Sequence, residues 1–178
     1  MTDICVYVLI RPQVDCLISF TSSGFPLQRV IDYVKLRRPF CVNDLPSQTV
    51  LLERADVYKQ LELAGIPTPR HLYARRDSTH QCTIEQTDDY ISVNSEQMVL
   101  PVVEKPYDGD DHNVYIYYGK RHGGGSRRLF RKVGNRSSRF YPNVSTLRKN
   151  GSYIYEELLK NGKVCANNTK VYICCRLI

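Results

Sequence analysis

Beyond Gly65 the sequence consists mostly of short, strand-length runs, and this constrains the fold more than any other feature. Seven runs follow one another: His71–Arg75, Tyr90–Val93, Val99–Glu104, Val114–Tyr118, Arg128–Val133, Tyr153–Glu157 and Lys170–Cys174. They are rich in β-branched and aromatic residues, with turn-forming residues between them. Val114–Tyr118 and Arg128–Val133 flank His122-Gly-Gly-Gly-Ser126. That is the pattern of a β-hairpin with a flexible tip. The second part of the chain therefore reads as antiparallel β.

Before Gly65 the pattern differs. Ile4–Ile10 and Cys16–Phe20 are short apolar strand candidates. Leu27, Val30, Ile31 and Val34 recur at helical spacing behind Pro26, which predicts a helix over Phe25–Leu36. Pro39–Val42 is the next strand. Asp44 offers an N-cap for one long helix with Val50, Leu51, Ala55, Tyr58, Leu61 and Leu63 on its inner side, closed by Gly65. This β-α-β-α order implies a partly parallel sheet. The fold class is α/β, becoming α+β where the strand runs take over.

The chain has 178 residues, enough for one domain or two small or incomplete ones. It is 42% hydrophobic and 24% charged, which excludes a fibre or a disordered tail. No apolar run approaches the roughly 18 residues of a membrane span, and Ile4–Ile10 lacks a basic flank. A cytosolic protein without a membrane partner is expected. The seven cysteines form no CxxC pair and read as reduced, buried thiols. The last strand-like run reaches the final residues, so we expect a fragment of a longer domain.

Charge is the second strong signal. The net charge is +7, but from Lys120 to Lys149 there are ten Lys or Arg and no Asp or Glu. The remainder is slightly acidic. Such a block can be a solvated face, a nucleic-acid patch or a pocket for a small polyanion. Nucleic acid is disfavoured: no RNP, KH or helix-turn-helix signature is present, and the tyrosines alternate as ordinary cross-strand pairs would. In Arg128–Val133, period-2 alternation puts Arg131 and Lys132 on opposite faces unless a bulge intervenes. Arg136, Ser137, Ser138 and Arg139 follow, and hydroxyls with guanidinium forks suit phosphate oxygens. By composition alone, a phosphate site and a solvated surface stand level.

Three further places could carry chemistry. Lys105 ends a buried strand before Pro106 and could reach a phosphate as a point charge. Asp108, Asp110, Asp111 and His112 follow, but their loose spacing argues against a metal site. Glu156 and Glu157 are adjacent on a strand, so one of them can face inward and would then need a partner.

These strings, taken in order, resemble one family. They are Asp15-Cys-Leu-Ile-Ser-Phe20, Ser23-Gly-Phe-Pro-Leu27, Lys35-Leu-Arg-Arg-Pro-Phe40, Asn43-Asp-Leu45, Glu104-Lys-Pro106, Asp111-His-Asn-Val-Tyr-Ile-Tyr-Tyr118, Gly123-Gly-Gly-Ser126, Leu129-Phe-Arg-Lys132, Arg136-Ser-Ser138 and Gly151-Ser-Tyr-Ile-Tyr-Glu-Glu157. The family is that of the diphosphoinositol pentakisphosphate kinases, the Vip-type inositol hexakisphosphate kinases of the ATP-grasp fold. The resemblance runs over about residues 15–159.

The resemblance implies an ATP-grasp kinase, incomplete here, that adds a β-phosphate to a phosphate already on an inositol ring. It implies a partial N-terminal α/β domain at 1–64, a first ATP-grasp subdomain at 65–159 and a stub of a second at 160–178. It implies ATP phosphates at Arg54, Lys105, His112 and Arg131, and adenine and ribose along Glu156, Glu157, Leu158 and Leu159. Arg131 and Lys132 would also hold the phosphates of inositol hexakisphosphate or an inositol pyrophosphate, and Lys170 would touch both ligands. The family uses Mg²⁺, whose acidic and Asn ligands the sequence does not reach, so little turnover is expected from these residues alone. A non-catalytic inositol-phosphate-binding remnant and another ATP-grasp ligase are the alternatives.

Overall fold

The structure is a computed structural model that describes residues 12–159 and, as backbone only, the strands Val164–Ala166 and Thr169–Val171. The Ile4–Ile10 strand candidate and the end of the Lys170–Cys174 run lie outside the described residues. The chain divides into two compact units, Met1–Glu53 and Arg54–Ile178.

The first unit is a small parallel crossover. Strand β1 (Cys16–Leu17) pairs in parallel with β2 (Phe40–Cys41), and helix α1 (Leu27–Arg37) links them. A parallel pair requires such a crossover. Helix α1 ends at Arg38, which takes a left-handed conformation at φ 53° and returns its N–H to Val34 O. The loop after β1 is fastened by amides. Gln48 is buried; its Nε2 donates to Ser19 O at 2.8 Å and its Oε1 accepts from Thr21 N at 2.8 Å.

The single long helix expected from Asp44 to Gly65 is not formed. A 3₁₀ segment, Pro46–Leu52, and helix α2, Arg54–Leu63, are separated by Glu53 in extended conformation (φ −120°, ψ 121°). Asp44 does cap the first piece, accepting from Ser47 N at 3.0 Å. The break is tertiary in origin, because Arg54 N donates to Tyr107 O instead of continuing a helical ladder. Two of the residues expected on the inner side are exposed, Leu51 (59%) and Leu63 (81%). Gly65 closes α2 at φ +67°, and Ile66 N returns to Leu61 O.

The second unit is built on a six-stranded antiparallel sheet. Its strands are β3 (His71–Ala74), β7 (Val102–Pro106), β8 (Val114–Tyr117), β9 (Ser126–Val133), β10 (Arg136–Tyr141) and β11 (Tyr153–Glu157), in the order β10-β9-β8-β7-β11-β3. A meander of β4 (Ile84–Gln86), β5 (Tyr90–Val93) and β6 (Glu96–Val99) forms a second sheet. Ile91, Val93 and Met98 of the meander join Leu72, Ala74, Val102, Tyr117, Tyr153 and Tyr155 in the main core. The opposite face of the large sheet receives α2, where Ala55 and Tyr58 meet Ile154. β12 (Val164–Ala166) and β13 (Thr169–Val171) form a separate hairpin.

The predicted run Val99–Glu104 is split, with Val99 closing β6 and Val102 opening β7. Pro101 has no N–H to donate to a ladder. Cys16 is exposed, and Cys41 and Cys82 are half-buried free thiols, so burial does not extend to all the cysteines. Among the described residues no helix is long and apolar enough to cross a membrane.

Candidate functional site

Alternation along β7 sorts its side chains between two environments. Glu104 faces the main core and is fully buried. Its Oε1 accepts from Arg148 Nε at 2.6 Å and from Tyr117 OH at 3.3 Å, and its Oε2 accepts from Tyr155 OH at 3.1 Å. Burial pushes the Glu104 carboxyl up, and Arg148 opposes that rise. The Arg148 guanidinium lies 4.7 Å from the Tyr115 ring and 4.5 Å from the Tyr153 ring. It also donates to Asn113 O at 2.6 Å. This network is structural, and it fastens the segment beside His112.

Lys105 points to the other face, beneath α2. Its Nζ lies 2.7 Å from Glu156 Oε1 and donates to Tyr58 OH at 3.3 Å. Tyr58 OH in turn donates to Glu156. Glu156 is 4% exposed, whereas Lys105 is half-buried and Glu157 is exposed. The adjacent acids thus divide between inside and outside. Burial, followed by the Glu156 charge, pushes the Tyr58 phenol far above its ordinary range, so it remains a donor.

Arg54 sits one helical turn before Tyr58, on the same face of α2. Its Nη1 donates to the carbonyls of Pro106 (2.7 Å) and Asp108, and its Nη2 to those of Gly109 (3.1 Å) and Asp111 (3.0 Å). Burial lowers the Arg54 guanidinium from its ordinary value, with Asp111 and Asp108 opposing. Arg54 and Arg148 therefore pin the 106–113 loop at opposite ends. The loop delivers His112, whose Nε2 accepts from Arg131 Nη2 at 2.6 Å. Burial and then the Arg131 and Arg54 charges hold the His112 imidazolium below its ordinary value. A neutral ring is the form that accepts this bond.

On β9 the register slips against β10. Val133 faces Arg136, yet Leu129 faces Ser138, so β9 bulges between them. The bulge spans Arg131 and Lys132, and both side chains are exposed. Simple alternation does not hold there. Leu158 and Leu159 follow directly from β11, half-buried and exposed respectively. Lys170 occupies β13 opposite Cys165, and its side chain lies outside the described residues.

The structure thus joins Lys105 to Glu156 and Arg131 to His112, with Arg54 electrostatically linked to both groups. It directs Arg54's hydrogen bonds to loop carbonyls. Tyr58, Glu104 and Arg148 were not foreseen as part of the site. The one available signal was Tyr58 standing four residues after Arg54 on a predicted helix.

Fold and site together define a mixed α/β protein whose central sheet carries clustered cationic donors beside a buried carboxylate. A family described as the diphosphoinositol pentakisphosphate kinase 2 N-terminal domain matches residues 6–53, ending where the first compact unit ends. The chain is 46% identical over 163 residues to the inositol hexakisphosphate and diphosphoinositol-pentakisphosphate kinase VIP1 of Arabidopsis thaliana. It is 47% identical over 163 residues to the human kinase 2 of the same description, and 45% identical over 170 residues to the Saccharomyces cerevisiae kinase. These alignments cover 90%, 90% and 83% of the chain, but only 15%, 13% and 15% of the relatives. The chain belongs to the inositol hexakisphosphate and diphosphoinositol-pentakisphosphate kinase family, at its N-terminal region.

Proposed function

We propose that the chain forms part of an ATP-dependent kinase that phosphorylates inositol hexakisphosphate or diphosphoinositol pentakisphosphate. The observation that carries this reading is the pair of half-buried Lys105 and buried Glu156 on the α2 face of the sheet, with Arg54 in electrostatic reach both of Glu156 and of His112, which bonds Arg131. The kinase names of relatives that align over most of the chain support it. In this reading residues 65–159 form the first subdomain of an ATP-grasp fold. The ATP phosphates lie against Lys105, His112 and Arg131, and the nucleoside follows Glu156, Glu157, Leu158 and Leu159. Lys132, Arg131 and Lys170 take the acceptor's phosphates.

The donor set fits a triphosphate. Lys105 is a compact point charge, Arg131 a planar fork, and His112 can become a donor when an anion replaces its present bond. In the reaction an acceptor phosphate oxygen attacks the γ-phosphorus. A new P–O–P link forms while the β–γ bridging bond breaks, and ADP leaves with the electron pair. The attacking oxygen is already anionic, so no general base is needed. What remains for the protein is alignment and charge neutralisation. Arg54 acts through the loop it holds, because its fork is occupied by carbonyls. Among the described residues no three carboxylate, imidazole or thiol groups converge on a metal position.

Calorimetric titration with inositol hexakisphosphate tests the acceptor. The chain is expected to bind it, and the R131Q/K132Q variant to bind at least tenfold more weakly. A chain that binds ATP but shows no affinity for the hexakisphosphate would contradict the acceptor assignment and favour a ligase with a carboxylate substrate.

A further inference from the structure

Two donors reach one oxygen of the buried Glu156 carboxylate, Oε1: Lys105 Nζ at 2.7 Å and Tyr58 OH. They differ in what else they can do. Lys105 is half-buried, and the proposed function gives it the ATP phosphates. Tyr58 is 9% exposed, and its hydroxyl is committed on both sides, donating to Glu156 and accepting from Lys105 Nζ at 3.3 Å.

The position of that hydroxyl is fixed from behind. The Tyr58 ring packs on the His71 ring, with centroids 4.7 Å apart. His71 is itself held: its Nδ1 lies 2.9 Å from Pro69 O, and its Nε2 lies 2.9 Å from Tyr73 OH and 3.2 Å from Glu62 Oε1 on α2. Ala55 and Ile154 complete the packing around Tyr58. A side chain ordered in this way loses little further conformational freedom in holding its bond to Glu156.

A phosphate oxygen at Lys105 competes with Glu156 for the same ammonium. A buried carboxylate that loses its cation is costly unless other donors remain. Arg54 cannot take over, since its fork is bound to the carbonyls of Pro106, Asp108, Gly109 and Asp111. Among the described residues, Tyr58 OH is then the donor that stays on Glu156.

We propose that Tyr58 is a positioning residue of the nucleotide site, holding Glu156 in place while Lys105 turns to a phosphate. The inference rests on the kinase reading and adds to it the means by which Lys105 is released. Tyr58 itself touches no ligand. Its hydroxyl lets one ammonium serve two anions in turn, and it links α2, which also carries Arg54, to the nucleotide side of the sheet.

The test reads the Y58F step by ATP titration in three backgrounds, the unaltered chain, K105M and E156Q, with melting curves to confirm folding. Phe keeps the ring on His71 and removes only the hydroxyl. In the unaltered chain Y58F is expected to weaken ATP binding about tenfold, the scale of a hydrogen bond to a charged group. In K105M no ammonium leaves Glu156 on binding, and in E156Q no charge is left uncovered. In both, the same step is expected to change affinity by less than about twofold. A tyrosine that served only packing would weaken binding alike in all three. Such an equal loss, or no loss in the unaltered chain, would overturn the proposal and leave the kinase reading standing. No ATP binding to the unaltered chain would overturn both. If Y58F alone does not fold, the E156Q background decides, and a loss there beyond about twofold overturns the proposal.

Discussion

The Glu104–Arg148 pair shows how one residue's burial sets the terms for its neighbours. Glu104 is fully buried and receives three side-chain donors. Removing one member leaves an uncompensated charge, which costs roughly 3–5 kcal/mol at a buried pair. R148M is therefore expected to destabilise the chain on that scale in chemical denaturation, and E104Q/R148M to recover part of the loss. Equal stability of the two variants would contradict the coupling. His112 sets the pH behaviour. Its folded-state value is held below the ordinary 6.5, so the native state binds fewer protons than the unfolded chain. Its contribution is present above the ordinary value and is lost as pH falls through the lowered one. NMR titration of the ring is expected to give a midpoint below 6.5, and R131Q is expected to raise it. At this scale the sequence was partly legible. Glu156 and Glu157 had to separate by pleat alone, but no spacing rule could bring Arg148 to Glu104 across 44 positions.

Among the elements, the runs with strong β alternation are found where the sequence puts them. Tyr90–Val93 and Tyr153–Glu157 agree residue for residue. β4 and β10 lie outside the predicted runs, and of β6 only Val99 falls within one, because polar residues make up at least half of each. Arg136, Ser137, Ser138 and Arg139 read as phosphate donors with no element assigned, and pairing with β9 makes Arg136–Tyr141 a strand. The break at Glu53 is likewise a tertiary effect, imposed by Tyr107. Two glycines test how the β9 region is built. Gly125, at φ +76°, would put a Cβ 2.8 Å from Tyr141 O and 3.0 Å from Pro142 Cα. Gly134, in the β9–β10 turn at φ +60°, meets nothing within 4 Å. G134A is expected to cost about 1 kcal/mol from backbone conformation, and G125A at least about twice that, since backbone must also move. Thermal melts of the two variants check the ranking, and a G134A that melts lower than G125A would contradict it.

On the scale of the whole molecule, the charge block between Lys120 and Lys149 is the feature that composition reveals and topology explains. Its residues fall largely on β9, β10 and the turns around them, at one side of the six-stranded sheet. The sheet's interior carries Lys105 and Glu156 under α2. Composition alone left a solvated surface and a phosphate site level. The central claim is that Lys105 holds the phosphates of ATP on the α2 face. Titration of ATP into the unaltered chain and into K105M, with melting curves to confirm folding, tests it most directly. The account predicts binding that weakens at least tenfold in K105M, about 1.4 kcal/mol or more. Equal affinity in the two folded proteins, or no binding to the unaltered chain, would contradict it.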